Sequence, residues 1–206
     1  MTSSNIPEYK VSGWETFAIA AGAGLLIALG GIGVATRFIV NIFDPVRAET
    51  MATSIMAYQI PGETQGVASL RLSDVKIALI ESKNSSDDIR LIIARIPAQQ
   101  ASDTHWVESL LQDSFLSTSA TQNNEIDPDP DLRVASTQTQ PKLLCNIKTS
   151  VTVSQGTISR LSRTEPGIRY RAKIMQRNEQ YLVTLMVGGK DAQQKADSIF
   201  SSLSCR

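Results

Sequence analysis

Histidine, cysteine and aromatic residues are scarce in this chain. It has one histidine and two cysteines in 206 residues, and aromatic residues make up 5% of the composition. Zinc and copper sites need several imidazole or thiolate ligands, and the two cysteines do not form a CxxC pair. His105 would need an orienting carboxylate and a nucleophile to act as a general base, and the sequence identifies neither. We therefore predict no metal, no cofactor and no catalytic residue, and expect a protein that is not an enzyme.

An excess of charge of one sign is also missing. The chain holds 20 Lys and Arg against 20 Asp and Glu, so its formal net charge is zero. A general nucleic-acid-binding protein would show a basic excess, and the few aromatic residues argue against stacking on single strands. Phosphate-binding loops, nucleophile elbows and dinucleotide fingerprints are absent as well. We expect no nucleic-acid partner.

One long hydrophobic segment is present near the amino terminus. Residues 16–36 carry no charged side chain, and a helix needs about 20 apolar residues to cross a bilayer. Trp14 lies just before the segment, where tryptophan often anchors a span, and the Asp44-Pro45 pair ends the helix. A cleaved signal peptide is the alternative, with small residues near Ala35. The apolar run is longer than the usual signal core, so we predict a retained single-pass anchor over 14–43.

The predicted anchor carries small residues at one-turn intervals. Such residues let another helix approach closely in lipid, although small residues are common in spanning helices in any case. A helix-packing face is therefore one of two interpretations. It would consist of Ala20, Gly24, Ala28 and Gly31.

The two cysteines indicate on which side of the membrane the rest of the chain lies. Cys145 and Cys205 would close a long loop, and such bridges persist in oxidising compartments. The alternative is two ordinary buried thiols. The few Lys and Arg residues near the anchor decide little about orientation. We expect a disulfide, with the soluble domain on the periplasmic or lumenal side.

The remaining chain predicts an α+β domain. After a polar tail at 1–13, the anchor at 14–43 and a juxtamembrane connector at 44–56, alternating apolar residues indicate strands at 67–72, 75–81 and 89–96. Helical spacing predicts a helix over 103–115, and more strands follow between 143 and 187, with turns at Gly156 and Gly167. A closing helix is predicted at 191–204. The domain at 57–206 should therefore be an antiparallel sheet of about seven strands with two packed helices.

A polar segment interrupts this pattern at 117–141. It is rich in Ser, Thr, Gln, Asn and Asp, with four acids between 125 and 131. A calcium site is one interpretation, but the glycine turn and distal glutamate of an EF-hand are missing. We predict a mobile acidic loop.

A basic strand is the clearest surface feature. Arg169, Arg171 and Lys173 alternate along one strand, so they share one face of the sheet. Like charges on one strand repel unless an anionic group lies near them. The acidic loop, lipid headgroups or an acidic partner would supply that group, and compensation by neighbouring strands is the alternative. We predict partner binding by these three residues.

Several short motifs support a resemblance. Residues 58–62 (YQIPG), the pair Gln65-Gly66 and the strand ending at 94–97 (ARIP) resemble a cyanobacterial family of single-pass membrane proteins of unassigned function. The order of strands and helices is also similar to the sandwich of the extrinsic P-type oxygen-evolving photosystem proteins. The resemblance implies a plasma or thylakoid membrane and supplies no catalytic residue.

These observations favour a membrane-tethered accessory or assembly protein. It would bind a membrane protein complex through its small-residue helix face, its basic strand face, or both. The alternative is a membrane-anchored ligand-binding or sensory domain with a pocket between the sheet and the helices.

Overall fold

The computed structural model describes residues 41–83, 88–99, 132–160 and 163–206. In these ranges two helices and nine strands follow one another, and all belong to one compact unit, Ile42–Arg206. In chain order they are α1 (Pro45–Ile55), β1 (Met56–Ala57), β2 (Thr64–Leu72), β3 (Val75–Ser82), β4 (Ile89–Pro97), β5 (Leu132–Leu144), β6 (Ile147–Arg160), β7 (Arg163–Gln176), β8 (Glu179–Gly188), α2 (Ala192–Ser202) and β9 (Ser204–Cys205).

The main sheet has seven strands in the order β2-β3-β4-β8-β7-β6-β5, and every neighbouring pair is antiparallel. Strands β4 and β8 lie in its middle, which explains why both are nearly continuous apolar runs. Their pairing, with Ile93 opposite Val183, joins the first three strands to the last four. The prediction of an α+β fold with an antiparallel sheet is confirmed for the described residues.

Helix α1 forms where the sequence places a strong start signal. Asp44 caps it, because its carboxylate accepts hydrogen bonds from Val46 N at 3.0 Å and Arg47 N at 3.2 Å, and Pro45 follows in the first turn. The helix buries Ala48, Ala52 and Ile55 against β2 and β3. The segment predicted as a connector at 44–56 therefore contains a helix that packs on the sheet.

Helix α2 lies on the same face of the sheet as α1. Its stripe of Ala192, Ala196, Ile199 and Phe200 is buried in the core cluster that also contains residues of β7 and β8. The ring of Phe200 meets that of Tyr170 edge to face, with centroids 5.5 Å apart. The closing helix predicted at 191–204 is thus present over a slightly shorter range.

The opposite face of the sheet carries a second apolar cluster. Its buried residues include Ile77, Leu79, Ile92 and Met186, which alternate with the helix-side residues along β3, β4 and β8. The helix predicted at 103–115 lies outside the described residues.

A short ribbon joins the ends of the two helices. Strands β1 and β9 pair antiparallel, with Met56 opposite Cys205. Cys205 also bonds to Cys145 in the turn between β5 and β6, and their Cα atoms are 5.2 Å apart. The predicted disulfide is therefore present, and it attaches the end of α2 to the β5–β6 hairpin.

Two features of the second half of the sheet differ from prediction. Residues 132–141, expected in the acidic loop, belong to β5, because this polar segment is an exposed edge strand with no apolar alternation to reveal it. Gly156 and Gly167, expected in turns, lie opposite each other inside the β6–β7 ladder. A Cβ on Gly156 would come within 1.9 Å of Arg133 O, so the glycine is needed for close strand approach.

Neither described helix is long and apolar enough to span a membrane. Residues 16–36, the predicted anchor with its packing face of Ala20, Gly24, Ala28 and Gly31, lie outside the described residues.

Candidate functional site

The predicted basic face lies on β7. Arg169, Arg171 and Lys173 alternate with helix-side core residues, so all three project from the opposite side of the sheet. Burial falls steadily along this row: Arg169 is 7% exposed, Arg171 is half-buried and Lys173 is exposed. The three charges are therefore on one face, as predicted, but only the end at Lys173 is open to solvent.

Burial makes the two guanidinium groups unusual. Loss of hydration, followed by the charge of Arg171, lowers the pKa of Arg169 to about 10. Burial also lowers the pKa of Arg171. Both groups remain cations at neutral pH. Like charges on one strand that are partly desolvated repel each other.

Hydroxyl groups flank this row on both neighbouring strands. Register places Ser154 of β6 opposite Arg169, and Thr184 of β8 opposite Arg171. Both hydroxyl-bearing residues are buried, and the Ser154 hydroxyl lies 3.3 Å from that of Thr137 on β5. The strip from β8 to β5 is therefore a polar region of this face, next to the apolar cluster around Ile92.

A second polar cluster joins α2 to the sheet. Asp197 accepts hydrogen bonds from Lys142 Nζ at 2.6 Å and from the Tyr170 hydroxyl at 2.9 Å, while Gln193 contacts both Asp197 and Tyr170. Lys142 also lies over the Tyr170 ring, with Nζ 5.0 Å from its centroid. This cluster ties the polar edge of α2 to strands β5 and β7.

These contacts shift the pKa values of two members. Burial tends to raise the pKa of Asp197, but hydrogen bonds from Gln193, Lys142 and Tyr170 outweigh it, so the pKa is lowered. Burial, followed by the hydrogen bond to Asp197, raises the pKa of Tyr170. Asp197 is therefore a stable anion and Tyr170 a stable neutral donor at physiological pH.

A groove borders this cluster. It has a volume of about 560 Å³ and opens between α2 and the β5–β6 turn, beside the disulfide. Its floor is apolar at Phe200 and Leu203, and its polar rim includes Lys142 and Asp197. Sequence reasoning did not identify these two residues, which are 55 positions apart. The one available signal was the one-turn spacing of Gln193 and Asp197 beside the apolar stripe of α2.

The remaining site predictions concern metal ligands, the single histidine and the two cysteines. Among the residues that the structure describes, no group of three or more His, Cys, Asp and Glu side chains is placed to hold a metal ion. His105 and the acidic residues at 125–131 lie outside the described ranges. Cys145 lines the groove and is bonded to Cys205, so neither cysteine is a titratable thiol.

Comparisons with known proteins add little to this geometry. No family model matches the chain, and no curated protein matches it. Among solved structures, the crystal structure of LpqN, involved in cell envelope biogenesis of Mycobacterium tuberculosis, is similar at 11% identity. The match covers 72% of this chain and 89% of that one, with a TM-score of 0.31. A TM-score of this size carries no argument about function.

Proposed function

We propose that this chain is a membrane-tethered accessory protein without enzymatic activity, which binds a membrane protein complex. Residues 16–36 would form a single-pass anchor, with Ala20, Gly24, Ala28 and Gly31 packing against a helix of the complex. The domain would dock through the open end of its basic row on β7. The observation that carries the proposal is the exposed Lys173 beside the half-buried Arg171 on one sheet face.

Electrostatics supports an acidic partner for this surface. A half-buried guanidinium next to an exposed ammonium forms a local positive field, although the chain as a whole is neutral. Such a field increases the association rate with an acidic surface and is screened by salt. Binding through this face should therefore weaken as ionic strength rises.

The disulfide supports the proposed side of the membrane. Bridges such as that between Cys145 and Cys205 persist in oxidising compartments, which favours a periplasmic or lumenal domain. Labelling intact cells with an impermeant thiol reagent, before and after reduction, would test the periplasmic location. Labelling only after reduction supports an external, bridged domain. A thylakoid location and a photosystem partner are predictions from the sequence resemblance alone.

Cross-linking and pull-down of the full-length chain from its own membranes test the main proposal. The Arg171→Gln/Lys173→Gln variant should lose most of the cross-linked partner, because it removes the positive field. A Gly24→Leu/Ala28→Leu variant should lose it as well if the small residues form a packing face. Lys148→Gln/Lys190→Gln is the control, since it removes the same number of positive charges from exposed positions and leaves β7 unchanged.

The proposal fails in either of two cases. The first is a strictly monomeric protein with no cross-linked partner in its native membrane. The second is a partner that both variants retain as fully as the control. Extraction of the wild type by alkaline carbonate without detergent would exclude the anchor itself.

The groove beside α2 favours a second candidate, a membrane-anchored ligand-binding domain. Its volume of about 560 Å³ is within the range of small-molecule sites, and an apolar floor with a charged rim is typical of them. A thermal-shift screen of small molecules separates the two functions, because a ligand of the groove would raise the melting temperature of the wild type. That gain should disappear when Ser201→Trp, at an exposed position in the lining, fills the groove.

A further inference from the structure

Three cations form a row across strands β2, β3 and β4, on the face of the sheet that carries the helices. Arg71 on β2 lies directly opposite Lys76 on β3, and Lys76 lies directly opposite Arg95 on β4. Residues directly opposite in an antiparallel ladder have Cβ atoms about 5 Å apart and share one face. We call Arg71, Lys76 and Arg95 the cross-strand row. The three residues are distant in sequence, and only the sheet register brings them together.

The cross-strand row is accessible and electrostatically unfavourable by itself. Arg71 is exposed and Lys76 is partly exposed, while the Arg95 side chain is 23% exposed. Burial, followed by the charges of Arg95 and Arg71, lowers the pKa of Lys76. Like charges directly opposite each other in a sheet are destabilising. The row would therefore gain stability from an anion that contacts all three side chains.

One carboxylate partly compensates the row. Glu179 on β8 lies 3.4 Å from Arg95 Nε and also accepts a hydrogen bond from the Tyr181 hydroxyl at 2.9 Å. Arg71 Nε donates to Ser73 O at 3.5 Å, and among the described residues neither Arg71 nor Lys76 forms an ion pair. Three cations and one carboxylate leave a local positive excess at this end of the sheet.

The position of the row separates it from the surfaces described above. Helix α1 covers β2 at Gly66, and Arg71 lies five residues further along the same strand, about 17 Å away. The basic row of β7 projects from the opposite face of the sheet. The cross-strand row is therefore an independent surface, and nothing about it depends on the proposed function.

We propose that Arg71, Lys76 and Arg95 bind a phosphate group. A single carboxylate pairs with one guanidinium, as Glu179 does with Arg95, whereas a phosphate monoester carries more than one charge and three acceptor oxygens. Two guanidinium forks on either side of an ammonium match that set of acceptors, since arginine binds phosphate oxygens in pairs and lysine adds a point charge. The ligand is either a soluble phosphate monoester or a phospholipid whose headgroup is itself a phosphate monoester, such as phosphatidic acid.

Titration of the full-length protein in neutral detergent with inorganic phosphate tests this site. The ionic strength is held constant with sodium chloride, and the side-chain Nε–H signals of arginine are followed by NMR. The signals of Arg71 and Arg95 should shift and saturate, while those of the exposed Arg47 and Arg133 should not. Lys76→Gln should weaken the apparent affinity about tenfold, the loss expected for one charge-assisted contact.

Lys148→Gln is the matched control, because it removes an exposed lysine from another part of the sheet and should leave the phosphate affinity unchanged. Lys76→Gln is expected to fold, since it removes like-charge repulsion, and Arg71→Gln provides a second variant with the same expected loss. The proposal is overturned if chloride alone produces the same shifts, or if Lys76→Gln and Lys148→Gln bind phosphate equally well.

Reconstitution of the same full-length chain into nanodiscs distinguishes the two sources of phosphate. If the ligand is soluble, added phosphate should shift Arg71 and Arg95 equally in phosphatidylcholine discs and in discs that contain phosphatidic acid. If it is a headgroup, the discs with phosphatidic acid should show the shifted signals before phosphate is added. Unshifted signals in both discs at saturating phosphate would exclude the site in either form.

Discussion

Removal of the disulfide by a Cys145→Ser/Cys205→Ser double substitution should lower the free energy of unfolding by about 4 kcal/mol. The bridge joins residues 60 positions apart. In the chain-entropy description, a loop of that length restricts the unfolded chain by about this amount at room temperature. For a protein of this size, each kcal/mol changes the melting temperature by about 2–4 °C, so a fall of about 8–16 °C is expected.

The structure also indicates which part of the fold should become less stable first when the disulfide is removed. Cys205 belongs to the β1–β9 ribbon, and Arg206 N donates to Ile55 O at 3.4 Å beside it. Without the bridge, this two-stranded ribbon has no covalent link to the β5–β6 turn. Hydrogen exchange at Met56 and Arg206 should therefore accelerate more than exchange at Ile93, in the middle of the main sheet.

Urea unfolding of four samples checks the magnitude: the oxidised wild type, the reduced wild type, the double variant and Ser204→Ala. Reduction of the wild type should reproduce the loss seen in the double variant, because both release the same loop. Ser204→Ala, an exposed neighbour of the bridge, should change stability little. A loss below about 1 kcal/mol in the double variant would refute the reasoning, since it would mean that the bridge hardly restricts the unfolded chain.

Three smaller predictions follow from other contacts. Gly66→Ala should destabilise the fold by about 3 kcal/mol, because the added Cβ would come within 2.2 Å of Pro45 O and force α1 away from β2. Asp197→Asn should lower the free energy of unfolding by about 1 kcal/mol at neutral pH. The loss is small because the contact with Lys142 is partly exposed, and such a contact is weaker than a buried one. Lys76→Gln should be at least as stable as the wild type at neutral pH, because it relieves repulsion in the cross-strand row.

Each of these has its own check by urea unfolding. Gln65→Ala, at the exposed position next to Gly66, should have little effect, and equal losses at both sites would contradict the close-packing argument. Because the folded pKa of Asp197 is lowered, its contribution is present above the ordinary value of 3.8 and lost as pH falls below it. A difference between wild type and Asp197→Asn that persists unchanged at about pH 2 would contradict that origin. Marked destabilisation by Lys76→Gln would mean that the row is already compensated.

Local sequence signals were sufficient for much of the architecture. The apolar runs of β3 and β4 and the alternation in β8 predicted their strands, because burial on one or both sheet faces selects those residue types. The stripe of α2 predicted its buried side. The cysteine pair was also anticipated, although spacing alone left two buried thiols as an alternative.

Other features could not be read from local patterns. The polar residues of β5 gave no strand signal, since an edge strand exposed on both sides needs no apolar alternation. Gly156 and Gly167 looked like turn residues, and only the paired register shows that they let two strands approach. The decrease in burial from Arg169 to Lys173 could not be predicted from the sequence either. The alternation along a strand shows which residues share a face of the sheet, but not which other residues pack against that face.

By itself, the sequence determined the residue types that must be buried, the positions of most strands and the α+β class, because these depend on interactions between near neighbours along the chain. Tertiary structure alone decided which distant residues meet. Arg71, Lys76 and Arg95 become one row only through the register of three strands, and Lys142 reaches Asp197 only because α2 folds back over the sheet. Contacts of this kind depend on long-range pairing, for which short segments of sequence carry no signal.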